Sequence, residues 1–212
     1  MSHRNVFIAS VFLLLSTISP SIIKGTTIHP HGYWEGVEAK NQHCFDLHLA
    51  NALAKFFKSE NAYSIVDFGC GVGSYVKLLL AKGFDCEGYD GNPATPRLSY
   101  GTCKVIDLSN PFCLSKHYDW VLSLEVGEHL PPEYQKTFIE NLDRHNTRGI
   151  VLSWAVKGQG GFGHFNEQNN DYIKKVMASY GYHNDVFAER SLRLAARLPW
   201  FRNTIMVFRK GK

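Results

Sequence analysis

Short apolar runs alternate along most of the chain with stretches in which apolar residues recur at helical spacing. The apolar runs predict seven strands, at about residues 65–68, 84–90, 104–108, 118–125, 149–154, 182–187 and 203–208. The helical spacing predicts a first helix that ends near residue 58 and four more at about 75–82, 131–142, 170–181 and 191–198. Asn169 or Asn170 is expected to cap the helix at 170–181. This alternation is typical of an α/β domain.

The first predicted strand leads into a glycine-rich turn and then into a helix. Gly69, Gly71 and Gly73 occupy alternate positions, and glycine lets a backbone turn sharply and approach a ligand closely. Dinucleotide-binding proteins place the last glycine five positions after the first, where this chain has Ser74. The turn therefore indicates a nucleotide-binding α/β domain, and its spacing disfavours a nicotinamide oxidoreductase. A tight turn without a ligand is the alternative for this segment taken alone.

Acidic residues stand at the ends of the next predicted strands. Asp90 follows Gly69 by 21 positions, close to the offset at which a carboxylate accepts hydrogen bonds from ribose hydroxyls. Asp107 lies at the end of the third strand, and Glu125 ends the fourth, just before Val-Gly-Glu-His-Leu. Because ligands bind beyond the carboxyl ends of strands in open α/β sheets, we expect these side chains to surround one site.

The pattern Asp-x-Gly-x-Gly-x-Gly at 67–73, the acids at the following strand ends and the Glu-His pair at 128–129 resemble class I S-adenosylmethionine-dependent methyltransferases. The resemblance runs from about residue 63 to residue 209. It implies an α/β, Rossmann-like fold with a seven-stranded, mostly parallel sheet, an antiparallel last strand and helices on both faces. It also implies S-adenosylmethionine as the cofactor.

The resemblance assigns roles to individual residues. It places Asp90 on the ribose and Asp107 beside the adenine amino group, and it makes Leu108 an apolar surface for the ring. The implied cofactor-binding residues are Asp67, Gly69, Cys70, Gly71, Gly73, Asp90, Gly91, Asp107, Leu108 and Glu125.

Methyl transfer to an acceptor that carries a proton also needs a base, and two histidines follow strand ends at the predicted site. His164 lies after four glycines between positions 158 and 163, and it is the first candidate for the catalytic base. His129 is the second. The structural alternatives are that His129 orients its loop and that His164 caps the next helix. Glu128 is expected to bind the substrate or to be a solvated residue of the rim.

An N-terminal arm precedes the first strand of the predicted domain. Its aromatic pair, Tyr33 and Trp34, is a candidate for substrate binding, because aromatic rings can cover a sulfonium by cation–π attraction. The alternative is that the pair anchors the arm to the domain. The histidines and the cysteine between residues 29 and 48 lack paired metal-ligand spacing, so no metal is expected. The residues interpreted as lying on a helix surface are Gln42, His43 and His48.

Composition narrows the choice of substrate. The chain has 212 residues and is 44% hydrophobic, which is enough for one domain with a full core. Its net charge is only +4 and no basic run occurs, so nucleic acid is not an expected partner. The chain is close to the bare fold, which favours a small-molecule acceptor. A protein or peptide acceptor and a non-catalytic cofactor-binding module are the alternatives, and no feature indicates the oligomeric state.

Residues 1–25 are predicted to be a signal peptide or an anchor. Arg4 precedes an apolar run at 6–15, which is too short for a confident membrane span, and Pro20 follows it. The secretory pathway is therefore the expected location. A membrane-anchored protein with a cytosolic domain, or a cytoplasmic protein, is the alternative, since the cofactor is made in the cytosol and the five cysteines show no paired spacing. The other predicted regions are an arm with its helix at 26–60 and the methyltransferase domain at 61–212.

Overall fold

The computed structural model describes residues 26–211, so the predicted signal peptide at 1–25 lies outside the described residues. The strands are β1 (Thr27–Ile28), β2 (Trp34–Glu35), β3 (Ser64–Phe68), β4 (Asp85–Asp90), β5 (Cys103–Val105), β6 (Tyr118–Leu124), β7 (Asn146–Ser153), β8 (Tyr182–Asn184) and β9 (Met206–Lys210). The α-helices are α1 (Leu47–Ser59), α2 (Ser74–Ala81), α3 (Thr95–Leu98), α4 (Gln135–Arg144), α5 (Asn170–Ser179), α6 (Val186–Ala195) and α7 (Phe201–Thr204). Short 3-10 helices cover Val37–Asn41 and Pro132–Tyr134.

Seven strands form one sheet in the order β5-β4-β3-β6-β7-β9-β8, and β1 pairs separately with β2. In the large sheet β9 is antiparallel to both of its neighbours, and the other pairings are parallel. The predicted fold class is confirmed. From β3 the chain continues to β4 and β5 on one side and then to β6 on the other, which opens a crevice at the carboxyl ends of β3 and β6.

Apolar side chains cover both faces of this sheet. Phe138 of α4 and Ile173 of α5 belong to the core on one face, and Leu53 of α1, Val76 of α2 and Leu192 of α6 belong to the core on the other. Leu49, Leu53 and Phe57 of α1 are fully buried in this second core. Among the described residues, no helix combines the length and the apolar character that a membrane span needs.

The elements around residue 185 differ from the prediction because of a helix cap. The carboxylate of Asp185 accepts a hydrogen bond from the amide of Ala188, and α6 begins at Val186. The strand predicted over 182–187 therefore ends at Asn184, and the helix predicted over 191–198 begins earlier and ends at residue 195. The apolar pair at 186–187, which suggested a strand, is exposed to solvent.

Two further details of the prediction are wrong. The last strand begins at Met206 rather than at residue 203, because α7 includes Thr204. Asn169 does precede α5, but its side chain does not cap that helix. The side-chain oxygen of Asn169 instead accepts a hydrogen bond from the amide of Lys157.

Asp46 joins the start of α1 to the segment that follows α6. Its Oδ1 accepts from the amide of Leu49 at 3.0 Å, and its Oδ2 accepts from the amides of Arg197 at 2.6 Å and Leu198 at 2.8 Å. Burial raises the pKa of Asp46, but these backbone hydrogen bonds outweigh burial and hold the pKa below its usual value. The carboxylate is thus more stable in the folded chain than in the unfolded chain.

We expect Asp46→Asn to lower the free energy of unfolding by about 3 kcal/mol at pH 7, because an amide replaces a charged acceptor of three hydrogen bonds. Since the folded pKa is lowered, the wild-type contribution is complete above the unfolded value of about 3.9 and is lost as the pH falls through the folded pKa. Urea unfolding at pH 7 and at about pH 3 measures both effects. Asp171→Asn, at an exposed residue of α5, is the matched control and should change stability by less than about 0.5 kcal/mol.

Candidate active site

The glycine turn lies at the carboxyl end of β3 and is hydrogen-bonded to the end of β4. The amide of Gly69 donates to the carbonyl oxygen of Tyr89 at 2.8 Å. Gly69 has a φ of +83°, and a Cβ atom there would lie 2.2 Å from the Val126 side chain. Gly71 has a φ of +55°, and a Cβ atom there would lie 2.5 Å from the His43 ring. The missing side chains therefore allow both a left-handed backbone and the close approach of two neighbouring segments.

Asp90 ends β4, and its carboxylate lies against this turn. One oxygen accepts from the amide of Gly71 at 2.9 Å, and the other accepts from the amide of Asn92 at 2.9 Å. A carboxylate has about four acceptor positions, so further hydrogen bonds can be made to it. The structure thus brings Asp90 and the glycine turn together, as the sequence predicted. Gly91 follows, and a Cβ atom there would lie 2.4 Å from the Tyr33 ring of the arm.

Three other predicted cofactor residues lie in the turn or in the strand before it. Asp67 and Cys70 are buried, and burial raises the pKa of the Asp67 carboxyl well above its usual range. Gly73 precedes α2 in a left-handed conformation with a φ of +75°. These residues shape the base of the site.

Asp107 lies in a turn beyond β5 rather than in the strand predicted over 104–108. Its Oδ1 accepts from the amide and the hydroxyl of Ser109 at 2.9 and 2.7 Å, and this turn ends the strand at Val105. Its Oδ2 pairs with the imidazole of His31 on the arm. Burial raises the pKa of Asp107, but the hydrogen bonds from His31 and Ser109 hold it below its usual value. Leu108 is buried beside it.

Two cavities lie along this edge of the sheet and share a wall. The first cavity contains Asp90, Asp107 and Leu108, and the second contains Asp67, Cys70 and His164. The residues that line both cavities are Trp34, His43, Gly69, Leu124, Glu125 and His129. The predicted cofactor and catalytic residues are therefore distributed over two adjacent spaces at the carboxyl edge.

The N-terminal arm covers the first cavity and part of the second. Tyr33 stacks on His29 with ring centroids 4.3 Å apart, and Trp34 meets the ring of His129 edge-on at 4.9 Å. The side chain of Asn92 donates to the carbonyl oxygen of Gly36 at 3.0 Å, which ties the arm to the end of β4. The aromatic pair therefore packs against the arm and the site and lines the first cavity, and its role in substrate binding stays a prediction.

His43 is a site residue that the sequence interpretation missed. It was expected on a helix surface, but it precedes α1, packs against Gly71 and lines both cavities. Burial lowers its pKa. Helical periodicity gave no sign of this, because the position of His43 depends on how the arm folds back over the sheet.

The two candidate bases lie next to each other in the wall of the second cavity. The rings of His129 and His164 are 4.9 Å apart and nearly perpendicular. Nδ1 of His129 lies 3.1 Å from the carbonyl oxygen of Gly163, and Nδ1 of His164 lies 2.9 Å from a carboxylate oxygen of Glu167. Burial, and then the neighbouring His164, lowers the pKa of His129 to about 4. Both rings are thus oriented through one nitrogen.

Two glutamates flank these histidines and differ in their surroundings. Glu125 lines both cavities, and its oxygens accept from Gln159 at 2.7 Å and from Thr204 at 2.9 Å. Glu128 is wholly buried and neither of its carboxylate oxygens has a hydrogen-bond partner. The alternative of a solvated rim residue is therefore wrong for Glu128. Burial raises its pKa well above the usual range, and the charge of Glu125 adds to this effect.

A family model described as a methyltransferase domain matches residues 33–193 of the chain. The match covers the arm from Tyr33 onward, the glycine turn and both candidate bases. No curated protein sequence matches the chain.

Several solved structures are similar in fold. Magnesium protoporphyrin IX methyltransferase (ChlM) from Synechocystis PCC 6803, with bound SAH, is 21% identical, with a TM-score of 0.55 over 76% of this chain and 82% of that one. The sugar N-methyltransferase KedS8 from Streptoalloteichus sp ATCC 53650 is 14% identical, with a TM-score of 0.62 over 78% and 88%. CalS10, an amino pentose methyltransferase from Micromonospora echinaspora, is 15% identical, with a TM-score of 0.57 over 76% and 89%.

Proposed function

Because the chain belongs to the family of S-adenosylmethionine-dependent methyltransferases, we propose that it transfers the methyl group to a small-molecule acceptor bound in the second cavity. The observation that carries the proposal is the position of the Asp90 carboxylate, 2.9 Å from the amide of Gly71 at the open edge of the sheet. A carboxylate that can accept hydrogen bonds from ribose hydroxyls therefore lies next to the glycine turn.

The described residues fit the cofactor. Asp90 keeps acceptor positions for two ribose hydroxyls, and Leu108 supplies an apolar wall in the same cavity. The missing side chains at Gly69 and Gly71 leave room for Val126 and His43, both of which line the first cavity. S-adenosylmethionine supplies the activated methyl group when it is bound there. Asp107 is already paired with His31, so binding of an adenine amino group would compete with that contact.

The second cavity supplies the groups that would handle the acceptor. We propose His164 as the base, because Glu167 orients its ring through Nδ1 and leaves Nε2 to receive a proton. Glu167 also accepts from the amides of Gly158 at 2.7 Å and Gly160 at 2.6 Å, so it holds the glycine loop and the histidine together. His129, with its pKa of about 4, is a weaker base at neutral pH.

The walls of the site favour a small acceptor. The arm and the glycine loop meet over the cavities, where Trp34 and Phe162 pack at 6.3 Å between ring centroids. The structural neighbours named above act, by their names, on a porphyrin and on sugars.

Two measurements test the proposal. Titration calorimetry should show binding of S-adenosylhomocysteine and none of NAD(H). Labelled methyl groups from S-adenosylmethionine should then appear in a metabolite extract and not in a protein extract. Incorporation into the protein extract would show that the acceptor is a protein and not a small molecule. Tight cofactor binding with no incorporation into either extract would contradict catalysis.

A matched pair of glycine variants distinguishes the effect of a steric clash at the turn from the effect of backbone strain. Gly69 and Gly101 have nearly equal φ values, +83° and +81°, but a Cβ atom meets Val126 only at Gly69, and at Gly101 nothing lies within 4 Å. We expect Gly69→Ala to weaken binding of S-adenosylhomocysteine by about 30-fold, because Val126 must shift into the first cavity. Gly101→Ala should leave the affinity unchanged in the same calorimetric titration. Equal losses in both variants would assign the effect to strain alone.

A further inference from the structure

Glu128 has an environment that its neighbours in the protein do not explain. The side chain is wholly buried, and both carboxylate oxygens lack a hydrogen-bond partner. Buried carboxylates are normally paired with a cation or bound by donors. Of the described residues that line the second cavity beside it, none is a lysine or an arginine. Burial without a partner disfavours the charged form of this group, and a cation bound beside it would favour that form.

Two imidazoles stand next to this carboxylate. Glu128, His129 and His164 each offer one ligand atom, and these atoms lie within 4.8 Å of one another. Nδ1 of His129 contacts the carbonyl oxygen of Gly163, and Nδ1 of His164 contacts the carboxylate of Glu167. A histidine that donates its Nδ1–H in this way keeps a lone pair on Nε2, which is the arrangement found around metal-binding histidines.

The site can be reached from the second cavity. Glu125, His129 and His164 all line that cavity, whereas Glu128 is wholly buried and lies next to the two histidines. Glu125 holds a positive φ of +53°, an uncommon conformation for a residue with a side chain, and strained backbone of this kind clusters at functional sites. A cation that enters the cavity therefore meets the two imidazoles in its wall, with the carboxyl group of Glu128 within 4.8 Å of their nitrogen atoms.

We propose that Glu128, His129 and His164 bind a divalent transition-metal ion of the class of Zn²⁺, Mn²⁺ or Co²⁺. Two imidazoles with a carboxylate suit such ions, whereas Mg²⁺ and Ca²⁺ prefer oxygen ligands alone. Three protein ligands leave coordination positions open towards the cavity. Resting on the proposed function, we assign these positions to an oxygen atom of the acceptor. A bound ion would make its O–H proton more acidic, so that water could take up the proton and the oxygen could displace S-adenosylhomocysteine from the methyl group.

This assignment competes with the role of His164 as a base. A nitrogen that holds a metal ion cannot also receive a proton, so metal binding would leave His164 as a ligand and Glu167 as the group that orients it. The two roles differ in what they require of Glu128, because a base at His164 has no need of a buried carboxylate next to it.

Titration of the chelator-treated full-length protein with Zn²⁺, Mn²⁺ and Co²⁺ tests the site, with bound Co²⁺ followed by its visible absorption. We expect one ion per chain with micromolar or tighter affinity and a rise in melting temperature on binding. Glu128→Gln should weaken binding by about 100-fold and remove the rise. The matched control is Glu133→Gln, at an exposed glutamate five positions away, which should bind like the wild type.

Binding of S-adenosylhomocysteine by each variant provides an independent check of folding. If Glu128→Gln fails that check, His129→Gln takes its place in the same titration. No stoichiometric binding by the wild type, or equal binding by a folded ligand variant, would overturn the metal site. Metal binding without methyl transfer would support the metal site and contradict the proposed function. Methyl transfer by a protein that binds no metal would support the proposed function and contradict the metal site.

Discussion

Replacement of Asp90 by alanine is expected to weaken the binding of S-adenosylhomocysteine by about 1,000-fold. Two ribose hydroxyls would each lose a hydrogen bond to a charged acceptor, and each such bond contributes about 1.5–3 kcal/mol. The variant also removes the acceptor of the Gly71 amide, so the turn loses a contact that holds it in place. Titration calorimetry of the purified variant measures the loss directly.

Two further variants interpret that result. Asp90→Asn keeps the shape of the side chain and one acceptor oxygen, and it should lose about 30-fold in affinity. Asp171→Ala, at an exposed aspartate of α5, should bind as tightly as the wild type. If Asp90→Ala remained within threefold of the wild type, the assignment of the first cavity to adenosine would fail.

The arrangement of the sheet could be predicted because local patterns and global topology agree there. Glycines alternate at 69–73 after one predicted strand, and acids follow at 90 and 107 near the ends of the next two. The carboxyl ends of parallel strands lie at one edge of a sheet, so these residues come together there. The prediction was less accurate where a single side chain decides a boundary. Asp185 separates β8 from α6 through one hydrogen bond to the start of the helix. The apolar residues 186–187 that follow it suggested a longer strand, but they are exposed.

The composition of the site could be predicted only in part, since some members come from segments that fold over it. Asp90 and Gly71 are joined through adjacent strands, whereas His43 reaches the site from the arm. The burial of Glu128 is also a property of the assembled fold. Its carbonyl oxygen accepts from the amides of Phe165 and Asn166, which brings the loop of His164 next to it. No spacing within the sequence predicts a contact between segments this far apart.

The same division explains why the cofactor is easier to infer than the acceptor. The residues predicted to bind the cofactor lie at or just beyond strand ends, and the matched range of 33–193 includes them. The walls of the second cavity come from the arm, from the glycine loop and from residues such as Trp200 that lie beyond that range. Most of these walls are loop residues, and loops vary more among related proteins than strands do, so the family match does not specify the acceptor.

Replacement of His164 by alanine is expected to lower the rate of methyl incorporation into a metabolite extract by about 100-fold. The reason is that this imidazole occupies the wall of the second cavity and is oriented by Glu167, either to receive the acceptor proton or to hold an ion that acidifies it. Binding of S-adenosylhomocysteine should stay within threefold of the wild type, since His164 does not line the first cavity.

The matched control for this variant is His183→Ala, at an exposed residue of β8 on the edge of the sheet, which should retain full activity. Glu167→Gln, which keeps a hydrogen-bond acceptor for Nδ1 but removes its charge, should give an intermediate loss of about tenfold. A full loss of cofactor binding in His164→Ala would show that the loop supports the turn instead of serving the acceptor. An unchanged incorporation rate with intact cofactor binding would remove His164 from the chemistry, whether as base or as ligand.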